Sequence, residues 1–402
     1  MNTVVWKNET GQAAALLRDG GLVAVPTETV YGLACNGLDA EAVERLYEVK
    51  GRPSVKPLSL MVPGPDSIDD CCRDVPAAAR VLAGRFWPGP LTLVLPAKEH
   101  VPAIVRAGGD TIGLRCPDHP LTLALLREAG VPFAAPSANP SGEASPKDAG
   151  AVLRYFDGKI EAVIDGGPCG LGTESTIVSL AEKPYRVLRQ GALPEQEIAD
   201  ALVDAMTVIG ITGGSGGGKT TALRVLESLG ALVLDADQVY RELLTSDPEL
   251  LDDIEARFPG TVTSGVLNRR ALAAAVFSDA GALDDLNRIA HPRVIAETKR
   301  RLRAYAMQGG TLAALDAIAL LESGLDALCD RCFAVTAPRE ARIARIMARD
   351  ALSREEAERR IDAQRPDTYY TVRCGSVLYN DADEASFTAR CRQKFMEVIS
   401  HG

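Results

Sequence analysis

Val208-Ile209-Gly210-Ile211-Thr212 runs directly into Gly213-Gly214-Ser215-Gly216-Gly217-Gly218-Lys219-Thr220, and this junction decides the reading of the C-terminal half. The first five residues read as a buried strand. The next eight spell GxxxxGK[ST] between that strand and a helix expected over residues 220–229. Glycines let successive backbone N–H groups converge on phosphate oxygens at the positive end of the helix. Gly213, Gly216, Gly217, Gly218 and Thr221 belong to this cradle. Lys219 is placed to bridge β- and γ-phosphates, and the Thr220 hydroxyl to ligate Mg²⁺, so the ligands expected here are ATP and Mg²⁺.

The next expected strand, residues 232–234, ends in Asp235-Ala236-Asp237. Open α/β sheets bind ligands at that carboxyl edge. A carboxylate there can hold Mg²⁺ through water or accept the proton of an attacking hydroxyl. For Asp235 the competing reading is a cap for the helix over residues 238–244.

Outward from this motif, short apolar strands alternate with amphipathic helices, so both halves read as α/β. A chain of 402 residues suggests two domains, and 46% hydrophobic with 24% charged residues is ordinary for a soluble globular protein. A formal net charge of −10 argues against a whole-chain polyanion binder, leaving room for a local basic cleft. Leu193-Pro194-Glu195 opens a short helix ending near Met206. The expected division is a domain over residues 1–193, a linker helix over 194–206 and a second domain over 207–402. Met206 stands where a separate chain could begin, which suggests a fusion.

Nine Cys in a chain this long do not make a disulfide scaffold. Cys329-Asp330-Arg331-Cys332 has no second CxxC or paired His to complete a zinc site, so reduced cysteines near a core are expected. No secretory apolar segment follows Met1, and the apolar run near residues 312–321 is broken by Asp316. No membrane span is expected, and a cytoplasmic location is the default.

In the N-terminal half, Lys50, Arg52 and Lys56 fall together after an expected helix over residues 41–49. Hydroxyls cluster beside Pro or Gly at Thr27, Thr29, Ser54, Ser59, Ser137, Ser145, Ser175 and Thr176. Cations with hydroxyls on rigid loops suit a polyphosphate site, although a solvated basic loop would read the same way.

The C-terminal half resembles the dephospho-CoA kinases. The matching stretches are TGGSGGGKTTALRVLESLGA, LDADQVYREL, Asn287 through His291-Pro292-Arg293-Val294, LLESGLD, RDALSREEAERRIDAQ and Asn380. The resemblance implies Asp237 as base for the ribose 3′-hydroxyl of dephospho-CoA, with Asp235 and Arg241 beside that substrate. It also implies Arg349 on a mobile lid over the ATP phosphates and Asn380 near the adenine. Gly217 stands where the family often has Ser, and Asp316-Ala317-Ile318-Ala319 lacks the usual Pro. Another small-molecule kinase is the rival reading.

The N-terminal half resembles the threonylcarbamoyl-AMP synthase family through PTETVYGLAC, KGRPSVKPLSLMV, WPGPLTLVLP, TIGLRCPDHP, APSANPSGEASP, GTESTIV and VLRQGA. That resemblance implies a twisted α/β sheet joining ATP, L-threonine and bicarbonate into L-threonylcarbamoyladenylate and pyrophosphate, toward a modified adenosine in tRNA. Lys50, Arg52, Ser54, Thr111, Ser137, Asn139, Ser145 and Arg189 would contact ATP. Thr27, Ser59, Arg115 and Ser175 would contact threonine, Arg115 meeting its carboxylate with two parallel hydrogen bonds. Ala135 stands where the family often offers a hydroxyl. Longer members carry a further domain where the kinase-like half stands here. tRNA-modification proteins are the implied partners, with contact to tRNA or double-stranded RNA. An RNA-binding module without catalysis is the rival reading.

Overall fold

The computed structural model describes residues 2–279 and 281–400. Contacts divide the chain into two units, the first reaching Asp204 and also taking in Met307–Gly309, the second beginning at Ala205. The helix Glu195–Asp204 packs against Ala77–Phe86 within the first unit. Among the described residues no helix is long and apolar enough to cross a membrane.

The first unit is built on a ten-stranded mixed sheet. Its strand order is Val4–Trp6, Ala162–Ile164, Val23–Val25, Gly32–Asn36, Phe133–Ala134, Ser59–Met61, Thr111–Arg115, Leu91–Pro96, Thr176–Ser179 and Arg186–Arg189. Ser59–Met61 runs parallel to Thr111–Arg115, and Leu91–Pro96 parallel to Thr176–Ser179. Helices Thr10–Arg18 and Pro120–Ala129 pack together, and Leu17, Leu125, Leu126, Val23, Val25 and Phe133 fill the core beneath them. Ala40–Lys50 is capped by Asp39, which accepts from Glu41 N at 3.0 Å, and is stopped by left-handed Gly51. Ala42, Val43, Leu46 and Tyr47 form its buried stripe, and that register carries Lys50 inward as well.

The second unit holds five parallel strands in the order Leu232–Asp235, Leu312–Asp316, Thr207–Thr212, Arg331–Thr336, Ser376–Tyr379. Helices cover both faces, so strands such as Thr207–Thr212 read as continuous apolar runs rather than alternating ones. Helix Lys219–Ser228 packs on Glu384–Ile399, which inserts Phe387, Cys391 and Phe395 at four-residue spacing. The rings of Phe333 and Phe395 meet edge to face, centroids 5.3 Å apart. The glycine loop, Asp235 and Asp316 thus all emerge at one carboxyl edge.

Candidate active sites

In the second unit the loop turns with Gly213, Gly216 and Gly218 at positive φ. A Cβ on Gly213 would lie 2.2 Å from the Val335 carbonyl oxygen, so only glycine fits that bend. Asn380 is buried behind the loop and donates to Gly217 O at 3.0 Å. Arg345 joins Gly216 O at 3.1 Å and Asn380 Oδ1 at 3.2 Å. Gln364 accepts from Ser215 N at 2.8 Å, and buried Arg342 donates to Ser215 O at 2.9 Å. Helix Arg339–Asp350 and the segment after Arg354–Asp362 therefore brace the loop from outside.

Gly216, Gly217, Gly218, Lys219, Thr220, Asp235, Asp237 and Arg349 line one cleft, joined by Asp316, Arg345 and Arg360. Gly213, Thr221, Arg241 and Asn380 do not line it. Lys219 Nζ donates to Gly213 O at 2.7 Å, and burial lowers its pKa against the opposing pull of Asp316 and Asp237. Asp235 caps helix Ala236–Ser246, accepting from Asp237 N at 2.8 Å and Gln238 N at 3.1 Å, so the capping reading of that residue holds. Its carboxylate also lies 3.6 Å from Arg241, whose guanidinium is held by Gln238. Asp237 has its pKa raised, first by burial and then by the Asp235 charge. Arg349 and Arg360 both donate to Asp350 Oδ2 at 2.8 Å, which gathers two guanidinium groups at the cleft.

Asp316 is the residue sequence reasoning passed over. It ends the strand Leu312–Asp316 and stands in register with Asp235 on one side and Ile211 on the other. Burial pushes its carboxyl up to about 6, and its Oδ1 has no protein partner. The available signal was an apolar run ending in a carboxylate one strand from a phosphate loop.

In the first unit Arg52, Ser59, Arg115, Ser137, Ser175 and Arg189 line a common cleft with Thr92, Glu174, Met61, Ala135 and Ile177. Arg115 is 7% exposed. Its Nη2 donates to Glu28 at 2.7 Å and Thr29 at 2.8 Å, and its Nε to Gly89 O at 3.3 Å. Nε and Nη2 of the guanidinium are thus both committed to acceptors within the protein. Ser175 shares a 2.9 Å hydroxyl contact with Thr92, and Arg189 bonds Ser175 O at 2.9 Å and the Glu174 carboxylate.

Lys50 is only 3% exposed and donates to the carbonyls of Ser137 and Asn139, fastening that loop. Burial, then the nearby Arg52 charge, pulls its pKa down to about 7. The Asn139 side chain folds its own turn by donating to Pro140 O at 2.9 Å and Glu143 O at 2.8 Å.

Six expected residues lie off the cleft lining, Lys50 and Asn139 among them. The Thr27 hydroxyl is spent inside its turn, donating to Val30 O at 2.6 Å and pairing with Thr29. Ser145 stands behind the wall, bonded to Glu174 at 3.0 Å. Ser54 is exposed on a turn, and Thr111 sits at the opposite end of its strand from Arg115. Glu28 and Glu174, which the sequence does not mark, partner Arg115 and Ser145 through side chains brought together only by the fold.

A strand, glycine loop and helix with acids at the adjoining strand ends define the second unit as a P-loop phosphate-binding fold. Residues 207–386 match the family described as Dephospho-CoA kinase, and residues 15–191 the family described as Telomere recombination. A Dephospho-CoA kinase of Moorella thermoacetica is 36% identical over 199 residues, covering 49% of this chain and 94% of that protein. A Threonylcarbamoyl-AMP synthase of Halorhodospira halophila is 40% identical over 159 residues, covering 40% of this chain and 83% of that protein. A Threonylcarbamoyl-AMP synthase of Pyrococcus abyssi is 49% identical over 186 residues, covering 46% of this chain and 55% of that protein. The chain spans about half the length of such longer relatives. The chain belongs to the threonylcarbamoyl-AMP synthase family through its N-terminal half and to the dephospho-CoA kinase family through its C-terminal half.

Proposed function

We propose that the chain is a bifunctional ATP-dependent enzyme. Its first unit forms L-threonylcarbamoyladenylate from threonine, bicarbonate and ATP, and its second transfers phosphate from ATP to the 3′-hydroxyl of dephospho-CoA. The observation that carries this reading is that each unit builds its own cleft of cations and hydroxyls or main-chain amides.

In the second unit the loop amides and Lys219 hold the triphosphate. Asp237, less acidic than a free carboxyl, accepts the proton of the attacking hydroxyl. Arg349 and Arg360 leave Asp350 for the phosphoryl oxygens, where transition-state charge collects. Thr220 and Asp316, whose Oδ1 is otherwise unpartnered, would hold a hard cation, and Mg²⁺ there would supply charge neutralisation for the triphosphate.

In the first unit Arg115 Nη1 takes the threonine carboxylate, and Thr92 with Ser175 faces its hydroxyl. Ala135, Met61 and Ile177 offer an apolar wall to its methyl group. The threonine amine and bicarbonate form a carbamate with loss of water, and a carbamate oxygen attacks the α-phosphate as pyrophosphate leaves. Arg52 and Arg189 provide positive charge for the polyphosphate while Lys50 fastens the loop carrying Ser137, so the site mainly orients reactants. The adenylate then passes to a tRNA-modifying partner.

The test supplies the purified chain with ATP, Mg²⁺, threonine, bicarbonate and dephospho-CoA and identifies products by mass. Both CoA and the threonylcarbamoyl adenylate are expected. Phosphorylation of a nucleoside monophosphate in preference to dephospho-CoA, or RNA binding without pyrophosphate release, would reject the corresponding half.

A further inference from the structure

Cys329-Asp330-Arg331-Cys332 takes part in neither cleft, yet its two sulfurs converge. Cys332 lies on the strand Arg331–Thr336, in register with Gly210. Cys329 follows the short 3₁₀ turn Leu325–Leu328. A Cβ on Gly210 would stand 2.8 Å from Cys332 Sγ and 2.9 Å from Cys329 Sγ, so the bare glycine leaves the hollow in which both thiols meet. Any side chain there would push the sulfurs apart.

Both cysteines are half-buried, whereas Cys35, Cys71, Cys72, Cys116, Cys374 and Cys391 are sealed in the fold. Hydrogen bonding from Cys329 holds the Cys332 thiol below its ordinary value, while the same contact and burial push Cys329 up. An accessible thiol of lowered pKa beside a second thiol is the arrangement that exchanges readily with disulfides.

We infer that Cys329 and Cys332 form a reversible redox site that closes to a disulfide by exchange with a small-molecule disulfide. The Cys332 thiolate attacks one sulfur of that molecule. Its S–S bond breaks, one thiolate leaves and takes up a proton, and a mixed disulfide remains on Cys332. The Cys329 thiol then gives up its proton and attacks the Cys332 sulfur, expelling the second small thiol. Two electrons and two protons pass from the protein dithiol to the small-molecule disulfide. The strand bearing Cys332 continues to Val335, whose carbonyl walls the glycine loop at Gly213 and Gly217. The inference is independent of either proposed activity.

The test equilibrates the full chain in mixtures of reduced and oxidised glutathione, quenches with acid, alkylates after unfolding and maps the peptides by mass. The peptide holding Cys329 and Cys332 is expected to lose two hydrogens in oxidising mixtures and regain them with reductant, while the sealed cysteines stay alkylatable. Cys329→Ser, lacking the resolving thiol, is expected to retain glutathione on Cys332. The inference fails if the wild-type peptide keeps both thiols across the range. It fails equally if glutathione accumulates on wild-type Cys332 without being expelled. The wild-type readout decides even if the variant folds poorly.

Discussion

The Arg115 guanidinium donates to the Glu28 carboxylate at 2.7 Å, with the side chains only 8% and 13% exposed. Glu28 also accepts from Asp118 N at 3.0 Å, so it fixes one edge of the guanidinium against the turn that follows Thr27. Glu28→Gln should therefore loosen Arg115 without removing it. The expected result is a several-fold rise in the threonine KM with kcat little changed, and a stability loss on the order of 2 kcal/mol. Steady-state pyrophosphate release against threonine concentration reads the split. A fall in kcat at unchanged KM would mean that Glu28 acts on the chemistry instead of on Arg115.

Lys219 and Lys50 belong to different units: Lys219 lines the cleft of the second, and Lys50 fastens a loop whose Ser137 lines the cleft of the first. Lys219→Ala should lower CoA formation by at least about a hundredfold, because one charged donor is lost from the phosphate site. Threonine-dependent pyrophosphate release should persist in that variant. Lys50→Ala should invert the pattern by freeing the loop that its ammonium fastens at Ser137 and Asn139. Loss of both activities in either variant, with circular dichroism unchanged, would refute two separate sites.

The C-terminal scaffold was readable because strand, glycine loop and helix announce themselves in consecutive residues from Val208 to Thr220. The strand Thr207–Thr212 appears where expected, and the helix Lys219–Ser228 starts one residue early. Asp316 was harder to see because it looked like a break in an apolar run. Its meaning comes from parallel pairing with Asp235, a contact across more than eighty residues. The charges of residues 339–365 carry no mark in the sequence of which face turns inward. Only the fold turns Arg342, Arg345 and Gln364 onto the loop. At Thr27 the hydroxyl bonds within its own turn, a use open to any hydroxyl beside a proline and one the sequence does not distinguish from ligand binding.

Asp316 also yields a pH prediction. Its carboxyl sits at about 6 in the fold, above its ordinary value, because burial disfavours the charge. Between about pH 4 and 6 the unfolded chain gives up this proton more easily, so the folded state loses stability as pH rises through that window. Asp316→Asn cannot ionise. It should stabilise the C-terminal unit at pH 7.5, and the gain should vanish below about pH 4. Phosphoryl transfer should fall strongly in the same variant. Urea midpoints measured at several pH values test this, and a pH-independent difference would mean that the carboxylate charge is not what burial penalises.

Ala351 ends the helix Arg339–Asp350 at φ 54°, a left-handed conformation that glycine adopts without steric cost. Holding an alanine there costs about 1–2 kcal/mol, while glycine gives back up to about 1 kcal/mol through the entropy of the unfolded chain. Ala351→Gly should thus stabilise the C-terminal unit by roughly 0.5 kcal/mol. The joint lies between Arg349 and the capping box of Ser353 with Glu356 that starts the next helix. Relieving its strain should also let Arg349 and Arg360 part from Asp350 more easily, lowering the ATP KM rather than kcat. A lower urea midpoint in the glycine variant would show that the left-handed residue is not strained, and that the alanine is chosen to keep this joint stiff.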